Sequence, residues 1–194
     1  MRMEQLLTEA AEGAREGVML VHAHYQRMAE CIDRQHPRRP DSSTPSEQAA
    51  LFQMVSVAES FTVAVAQRTQ GYAREQGGTV VANLLKQVRF RETDGWEAVR
   101  TFLKSLGVPI TDLSTHQRML GYIEARNSVA HGQGSLTARQ LANHKSATSN
   151  LRAANILLRN DQLVLSAQVV GECRDCICEY INQLDTASHP YKLP

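Results

Sequence analysis

The residues best suited to chemistry lie close together in the second half of the chain, at Arg126, Asn127 and His131. Asn127 and His131 are four residues apart, so a helix with 3.6 residues per turn would place them on one face. Arg126 lies about 100° around such a helix from Asn127, and its long side chain can reach the same pocket edge. A guanidinium that binds phosphate, beside an imidazole that moves protons, suits acid–base chemistry on a phosphodiester.

The element that must position these residues is a helix that ends just after them. The capping-box pattern Ser114-Thr115-His116-Gln117 predicts its start, and Gly132 with Gly134 predicts its end. His131 would then lie at the negative end of the helix dipole, which favours a protonated imidazole.

Helical periodicity dominates the rest of the chain and strand patterns are nearly absent, so the sequence predicts an all-α fold. A linker from Asp33 to Ser43 separates two long helices, and Thr44-Pro45-Ser46-Glu47 predicts the capped start of the second. The apolar stripe of the first helix comprises Leu6, Leu7, Ala10, Ala14, Val18, Val21, Tyr25, Met28 and Ile32. That of the second comprises Leu51, Val55, Ala58, Thr62, Val65 and Ala66.

Four further helices are predicted along the chain. Three of them run from Val80 to Phe90, from Trp96 to Leu106 behind Asp94, and from Val169 to Leu184. The other begins at a second capping box, Thr137-Ala138-Arg139-Gln140. Asn160-Asp161 indicates a turn, and Leu163 to Leu165 a short extended segment.

The motif and its flanks resemble a known family. Arg126-Asn127-x-x-x-His131 matches the Arg-x(4–6)-His signature of the HEPN superfamily, whose second position is often polar. The likeness extends from Gly95-Trp96 through Leu106-Gly107, then over Arg126 to Gly132, and continues to the late segment from Gln162 to Leu184. It is similar to the RiboL-PSP-HEPN branch over about residues 47–185.

For the fold, the resemblance implies a HEPN-like helical bundle with an extra N-terminal helix. It also implies a two-fold homodimer in which two copies of the motif face each other across a shared cleft. The chain would then comprise an N-terminal helix and linker at residues 1–43, the HEPN-like domain at 44–186 and a C-terminal tail at 187–194.

For function, the resemblance implies an endoribonuclease that needs neither metal nor cofactor. His131 would act as general acid or base, and Arg126 would hold the scissile phosphate. Asn127 would hydrogen-bond to His131 or to the phosphate. Attack by the RNA's own 2′-hydroxyl would leave a 2′,3′-cyclic phosphate or its hydrolysed form. The protein would act as a toxin or an antiviral defence effector, and its partner would be an antitoxin or another defence-system protein.

Two other interpretations stay open on the sequence. One is a catalytically silent HEPN-like module that dimerises or binds RNA or a protein. The other is an unrelated helical adaptor in which Arg126 and His131 simply form a solvated helix end. Alanine at either position is expected to cost little stability, because truncation near a helix end leaves little cavity.

The composition limits location and partners. The 194 residues are 42% hydrophobic and 21% charged, as in an ordinary globular protein. A net charge of +1 is too low to bind nucleic acid through bulk charge, so contact with RNA would need a local basic cluster. No signal-peptide pattern precedes Glu4, and no unbroken apolar run approaches the roughly 20 residues of a membrane span. The expected location is therefore the cytoplasm, with no membrane partner.

The other chemically capable residues are expected to serve structure or the solvated surface. Cys173 and Cys176 lack a second pair at zinc-binding spacing, so buried thiols are expected and a metal site is the alternative. Glu124 is expected only to be solvated. Structural or surface roles are also expected for His22, His24, His116, His144, Lys145, Trp96, Phe102, Cys31, Cys178, Arg34, Arg38 and Arg39.

Overall fold

The computed structural model describes residues 7–33, 43–79, 83, 85 and 95–189. Seven helices lie within these ranges: α1 (Glu9–Asp33), α2 (Pro45–Gln76), α3 (Trp96–Ser105), α4 (His116–Gly132), α5 (Ala138–Ala142), α6 (His144–Ala153) and α7 (Ala167–Ala187). A 3₁₀ turn, Ile110–Asp112, precedes α4, and two short strands, β1 (Leu157–Arg159) and β2 (Gln162–Val164), precede α7. Three sequence predictions lie outside the described residues. They are the helix from Val80 to Phe90, of which only Asn83 and Leu85 are described, the cap Asp94 of the following helix, and the linker arginines Arg34, Arg38 and Arg39.

The helices form a bundle around α2, which packs against α1, α3, α4 and α7, while α6 packs along α4. The predicted stripe of α2 is confirmed, because all six of its residues are buried. The stripe of α7 points inward as well, with Cys173, Ile177 and Tyr180 fully buried. The all-α prediction is therefore confirmed for the fold as a whole.

A two-stranded antiparallel hairpin is the exception to the helical pattern, pairing Leu157 with Val164. Its turn is the predicted Asn160-Asp161, where both residues have positive φ, 50° and 61°. Two consecutive positive-φ residues are what a tight hairpin turn requires, and Asn and Asp tolerate them better than most residues. β2 overlaps the predicted extended segment from Leu163 to Leu165. β1 was not predicted, because three residues are too few to show an alternating pattern.

Two of the three predicted capping boxes are confirmed. Thr44 caps α2 with Glu47, and Thr137 caps α5 with Gln140, each with both reciprocal hydrogen bonds. The box at Ser114 is wrong. Gln183 of α7 takes its place, accepting from the Thr115 hydroxyl at 3.0 Å and donating to Ser114 Oγ at 2.6 Å.

The first helix packs into the same hydrophobic core as the rest of the bundle. Val18 and Tyr25 are buried there as predicted, whereas Ala10 and Met28 of the predicted stripe are exposed. Asp185, at the end of α7, accepts hydrogen bonds from the backbone and the hydroxyl of Thr8, just before α1. Division of the chain at residue 43 into separate units stays a prediction.

α2 is long and apolar enough to cross a membrane, judged by length and composition, and half of its most apolar window is buried inside the protein. The expectation that no unbroken apolar run approaches that length is not contradicted, because Gln53, Ser56 and Glu59 interrupt the apolar residues of this helix. The core helix of a globular protein has the same composition, and α2 packs against four other helices.

Candidate active site

The motif lies on the last two turns of α4, which ends at Gly132 as predicted. Gln133 follows in the left-handed conformation with φ 52°, and the Gly134 N–H donates to the Ser128 carbonyl at 3.0 Å. Gly134 has a φ of 87°, and a Cβ there would lie 2.8 Å from Gln48 Nε2 of α2. A glycine at this position therefore satisfies both the turn and the close approach of α2.

Arg126, Asn127 and His131 line a single cleft of about 620 Å³, so the structure brings the three predicted residues together. One face of α4 forms the floor of this cleft. Glu59 of α2 and the start of α3 form one wall, and residues of α5 and α6 form the other. A second cleft, of about 730 Å³, shares Glu59, Trp96 and Arg126 with the first.

Arg126 is partly buried and already has partners within the chain. Its Nη2 lies 3.1 Å from Glu59 Oε2, with side-chain exposures of 25% and 22%. Its Nη1 donates to Asn127 Oδ1 at 3.1 Å, and the guanidinium carbon lies 5.3 Å from the centre of the Phe52 ring. The guanidinium is therefore fixed by an ion pair, a hydrogen bond and a cation–π contact.

Glu59 is a site residue that sequence reasoning missed. Burial raises the pKa of its carboxyl, and the neighbouring Arg126 only partly offsets this rise. A buried carboxyl with a raised pKa that lies in a cleft beside a cation is a candidate functional residue. A signal was present: Glu59 is the only charged residue between Glu47 and Arg68, in an otherwise apolar and neutral stretch.

Asn127 and His131 share a helix face as predicted, but they do not hydrogen-bond to each other. The side-chain oxygen Oδ1 of Asn127 accepts a hydrogen bond from Arg126 instead. His131 is exposed and has no hydrogen bond or ion pair with the residues that the structure describes. Its imidazole therefore faces solvent at the mouth of the cleft, where it can meet a ligand, and contact of Asn127 with phosphate stays a prediction.

Buried Gln140 of α5 connects this helix to α4 beside the motif. Its amide donates to the Glu124 carboxylate at 2.7 Å and to the Glu124 backbone carbonyl at 2.8 Å, and it accepts from Ser128 Oγ at 3.0 Å. The expectation that Glu124 is merely solvated is therefore wrong. This network holds α5 against the motif helix. The spacing of the residues in sequence could not predict it, because a turn separates Gln140 of α5 from its partners on α4.

The remaining candidates have structural surroundings. His22 is buried beside Arg174, and burial followed by that charge lowers its pKa; burial and Arg100 do the same for His116. Trp96 and Phe102 are buried, as expected of core residues. All four cysteines are free thiols, and Cys173 and Cys176 are buried. Burial raises the pKa of Cys176 to about 11, so this thiol stays protonated near neutral pH.

No group of three or more histidine, cysteine, aspartate or glutamate side chains that could hold a metal ion occurs in the part of the chain that the structure describes. Comparison with known proteins adds no relative: no protein-family model, no curated protein and no solved structure matches the chain. A functional assignment therefore depends on the site's own chemistry and on the motif.

Proposed function

We propose that the protein is a metal-independent endoribonuclease of the HEPN type, active as a two-fold homodimer. The observation that carries the proposal is the shared cleft, in which Arg126, Asn127 and an exposed His131 lie together at the end of α4. The residues combine a fixed cation, an amide and an imidazole, which can serve as a general acid or base. These are the groups that transesterification of a phosphodiester needs.

The proposed reaction is attack of the RNA 2′-hydroxyl on the adjacent phosphorus. A base removes the hydroxyl proton, the new O–P bond forms, and the 5′-oxygen of the next nucleotide leaves with a proton from an acid. The products are a 2′,3′-cyclic phosphate and a 5′-hydroxyl. One chain supplies one imidazole, so in the dimer the two copies of His131 divide the roles of base and acid.

In this reaction Arg126 stabilises the charge that develops on the phosphate oxygens. The guanidinium has five N–H donors, and its contacts with Glu59 and Asn127 use two of them. Donors therefore remain for phosphate, while Glu59 and Phe52 keep the group in place. Preorganisation of this kind lowers the cost of reaching the transition state.

One observation favours a second function. The charge of Arg126 is already compensated by Glu59 at 3.1 Å, which weakens its attraction for phosphate. A catalytically silent HEPN-like module, which dimerises or binds RNA or a protein through this face, is therefore the second candidate. Under the first proposal the protein is a toxin or antiviral defence effector in the cytoplasm, and its partner is an antitoxin or another defence-system protein.

A mixing experiment tests the composite site. Arg126→Ala and His131→Ala should each lower the rate of RNA cleavage at least about a hundredfold. When wild type exchanges subunits with an excess of His131→Ala, the heterodimers keep only one of the two histidines, and cleavage should fall below that of the same amount of wild type alone. A wild-type monomer by light scattering, or undiminished cleavage despite exchange, would contradict a site shared between two chains.

A further inference from the structure

The α5 wall of the active-site cleft carries a second arginine, Arg139, which the motif does not include. Arg139 is exposed, and its side chain has no hydrogen bond or ion pair with the residues described here. Arg126, by contrast, is paired with Glu59. The two arginines of the cleft therefore differ in how much of their charge is left for a ligand.

The charges on the other sides of the cleft are largely engaged. Glu97 of α3 pairs with Arg100, and the Glu124 carboxylate of α4 accepts from Gln140 at 2.7 Å. Glu59 pairs with Arg126. Arg139 is thus the cleft's unpaired permanent cation among the described residues, beside an exposed His131.

The position of Arg139 relative to the motif is fixed even though its side chain is exposed. Its neighbours Thr137 and Gln140 form the capping box of α5, and Gln140 is hydrogen-bonded to Glu124 and Ser128 of α4. These hydrogen bonds hold the backbone of Arg139 beside the motif helix, within reach of the cleft that its side chain lines. Asn143 and Ser146 line the same wall and add an amide and a hydroxyl, which also commonly contact nucleic-acid backbones.

We infer that Arg139 binds a backbone phosphate of the RNA strand and is a substrate-binding residue outside the motif. The inference rests on the proposed function, because it takes RNA as the ligand. It also accounts for binding of a polyanion by a chain whose net charge is only +1. One local unpaired cation next to the reacting groups replaces a general positive field.

The test measures binding of a fluorescein-labelled single-stranded RNA by anisotropy, with His131→Ala present in every protein to prevent cleavage. Arg139→Gln should weaken binding about tenfold or more, the usual effect of losing a charge-assisted hydrogen bond. The slope of log affinity against log salt should become shallower by about 0.7, as expected when one contact with single-stranded nucleic acid is lost. Arg139→Lys should keep most of the affinity.

Arg152→Gln is the matched control, because Arg152 is an exposed arginine of neighbouring α6 that does not line the cleft. It should bind RNA like the parent, and circular dichroism should show all variants folded. If the parent binds RNA but Arg139→Gln has the affinity and salt slope of Arg152→Gln, the inference is wrong and the proposed function stands. If the parent binds no RNA and the wild type cleaves none, both fail.

Discussion

At the scale of single residues, the motif combines side chains in two different environments. Arg126 is partly buried against Glu59 and Phe52, whereas His131 is exposed at the cleft mouth. The common helix face of Asn127 and His131 was predictable, because it depends only on their spacing within one helix. The isolated charge of Glu59 in an apolar stretch could have marked it as a candidate. Its pairing with Arg126 was not predictable, since Glu59 lies on α2, which is distant in sequence.

These environments predict different stability costs for two equally damaging active-site variants. His131→Ala should change the free energy of unfolding by less than about 0.5 kcal/mol, as for an exposed side chain. Arg126→Ala should cost about 1–3 kcal/mol, because it leaves the carboxylate of Glu59 partly buried without its cation. The small cost expected from sequence for Arg126 therefore needs correction. Urea denaturation of both variants provides the measurement, and equal costs would contradict the role of the ion pair.

Glu59→Gln should show how much the ionisation of a buried carboxyl destabilises the folded protein. Burial raises the pKa of Glu59 above its usual 4.5, so the folded protein holds this proton more tightly than the unfolded chain does. The penalty for ionisation is absent below pH 4.5 and complete above the folded-state pKa. Wild type should therefore lose stability relative to Glu59→Gln as pH rises through that window.

Thermal unfolding of wild type and Glu59→Gln across this pH range measures the difference directly. Glu97→Gln is a suitable control, since Glu97 is an exposed carboxylate on α3 with an arginine partner. A wild type that gains stability relative to Glu59→Gln as pH rises would show that attraction to Arg126 outweighs burial.

At the scale of elements, helix caps and turns were predicted correctly where no residue from a distant part of the chain supplied the hydrogen bonds instead. The caps at Thr44 and Thr137 and the turn at Asn160-Asp161 formed as their residue types predict. The predicted cap at Ser114 failed because Gln183, far along the chain, supplies the hydrogen bonds there. β1 was not predicted and β2 was predicted only as an extended segment, because a pairing between three-residue segments depends on the partner as much as on the segment.

Packing of the motif helix depends on Gly121, where α4 meets α6. A Cβ at this position would lie 2.2 Å from the Asn150 carbonyl oxygen and 2.6 Å from the Ala154 Cβ. Gly121→Ala should therefore destabilise the protein by about 1–3 kcal/mol or more, as overpacking forces the helices apart. Because α6 forms a wall of the cleft, RNA cleavage should fall as well.

Gly171→Ala is the control for this prediction, since Gly171 lies inside α7, beyond its first turn, and a Cβ there would meet nothing within 4 Å. This substitution should stabilise the protein by about 0.5–1 kcal/mol, because alanine favours a helix interior over glycine. Calorimetric melting of both variants separates the effects. A tolerated Gly121→Ala would mean that α4 and α6 are not in close contact.

At the scale of the whole molecule, Asp185 connects both ends of the described fold. Its buried carboxylate accepts from Thr8 and lies 3.5 Å from Arg68 Nη2 of α2, so it joins α1, α2 and α7. Asp185→Ala should destabilise the protein by about 3 kcal/mol, because it removes charged hydrogen bonds at a buried site. Asp175→Ala, at an exposed position of the same helix, should cost less than about 0.5 kcal/mol.

Chemical denaturation of the two aspartate variants tests this connection. Equal stabilities would show that α1 is not coupled to the rest of the bundle through Asp185. For the molecule as a whole, the helical class was predictable because hydrophobic periodicity is repeated in every long element. Docking of α1 depends on Thr8 and Asp185 at opposite ends of the chain, and no local pattern encodes such a contact.

The central claim is that the cleft at the end of α4 cleaves RNA without metal, and one measurement tests it most directly. Purified wild type and His131→Ala are incubated with mixed RNA in EDTA, and the ends of the products are identified. The account predicts cleavage by wild type, 5′-hydroxyl and 2′,3′-cyclic phosphate ends, and at least about a hundredfold slower cleavage by His131→Ala. Unimpaired cleavage by His131→Ala, loss of wild-type activity in EDTA, or no cleavage by wild type under any condition would contradict it.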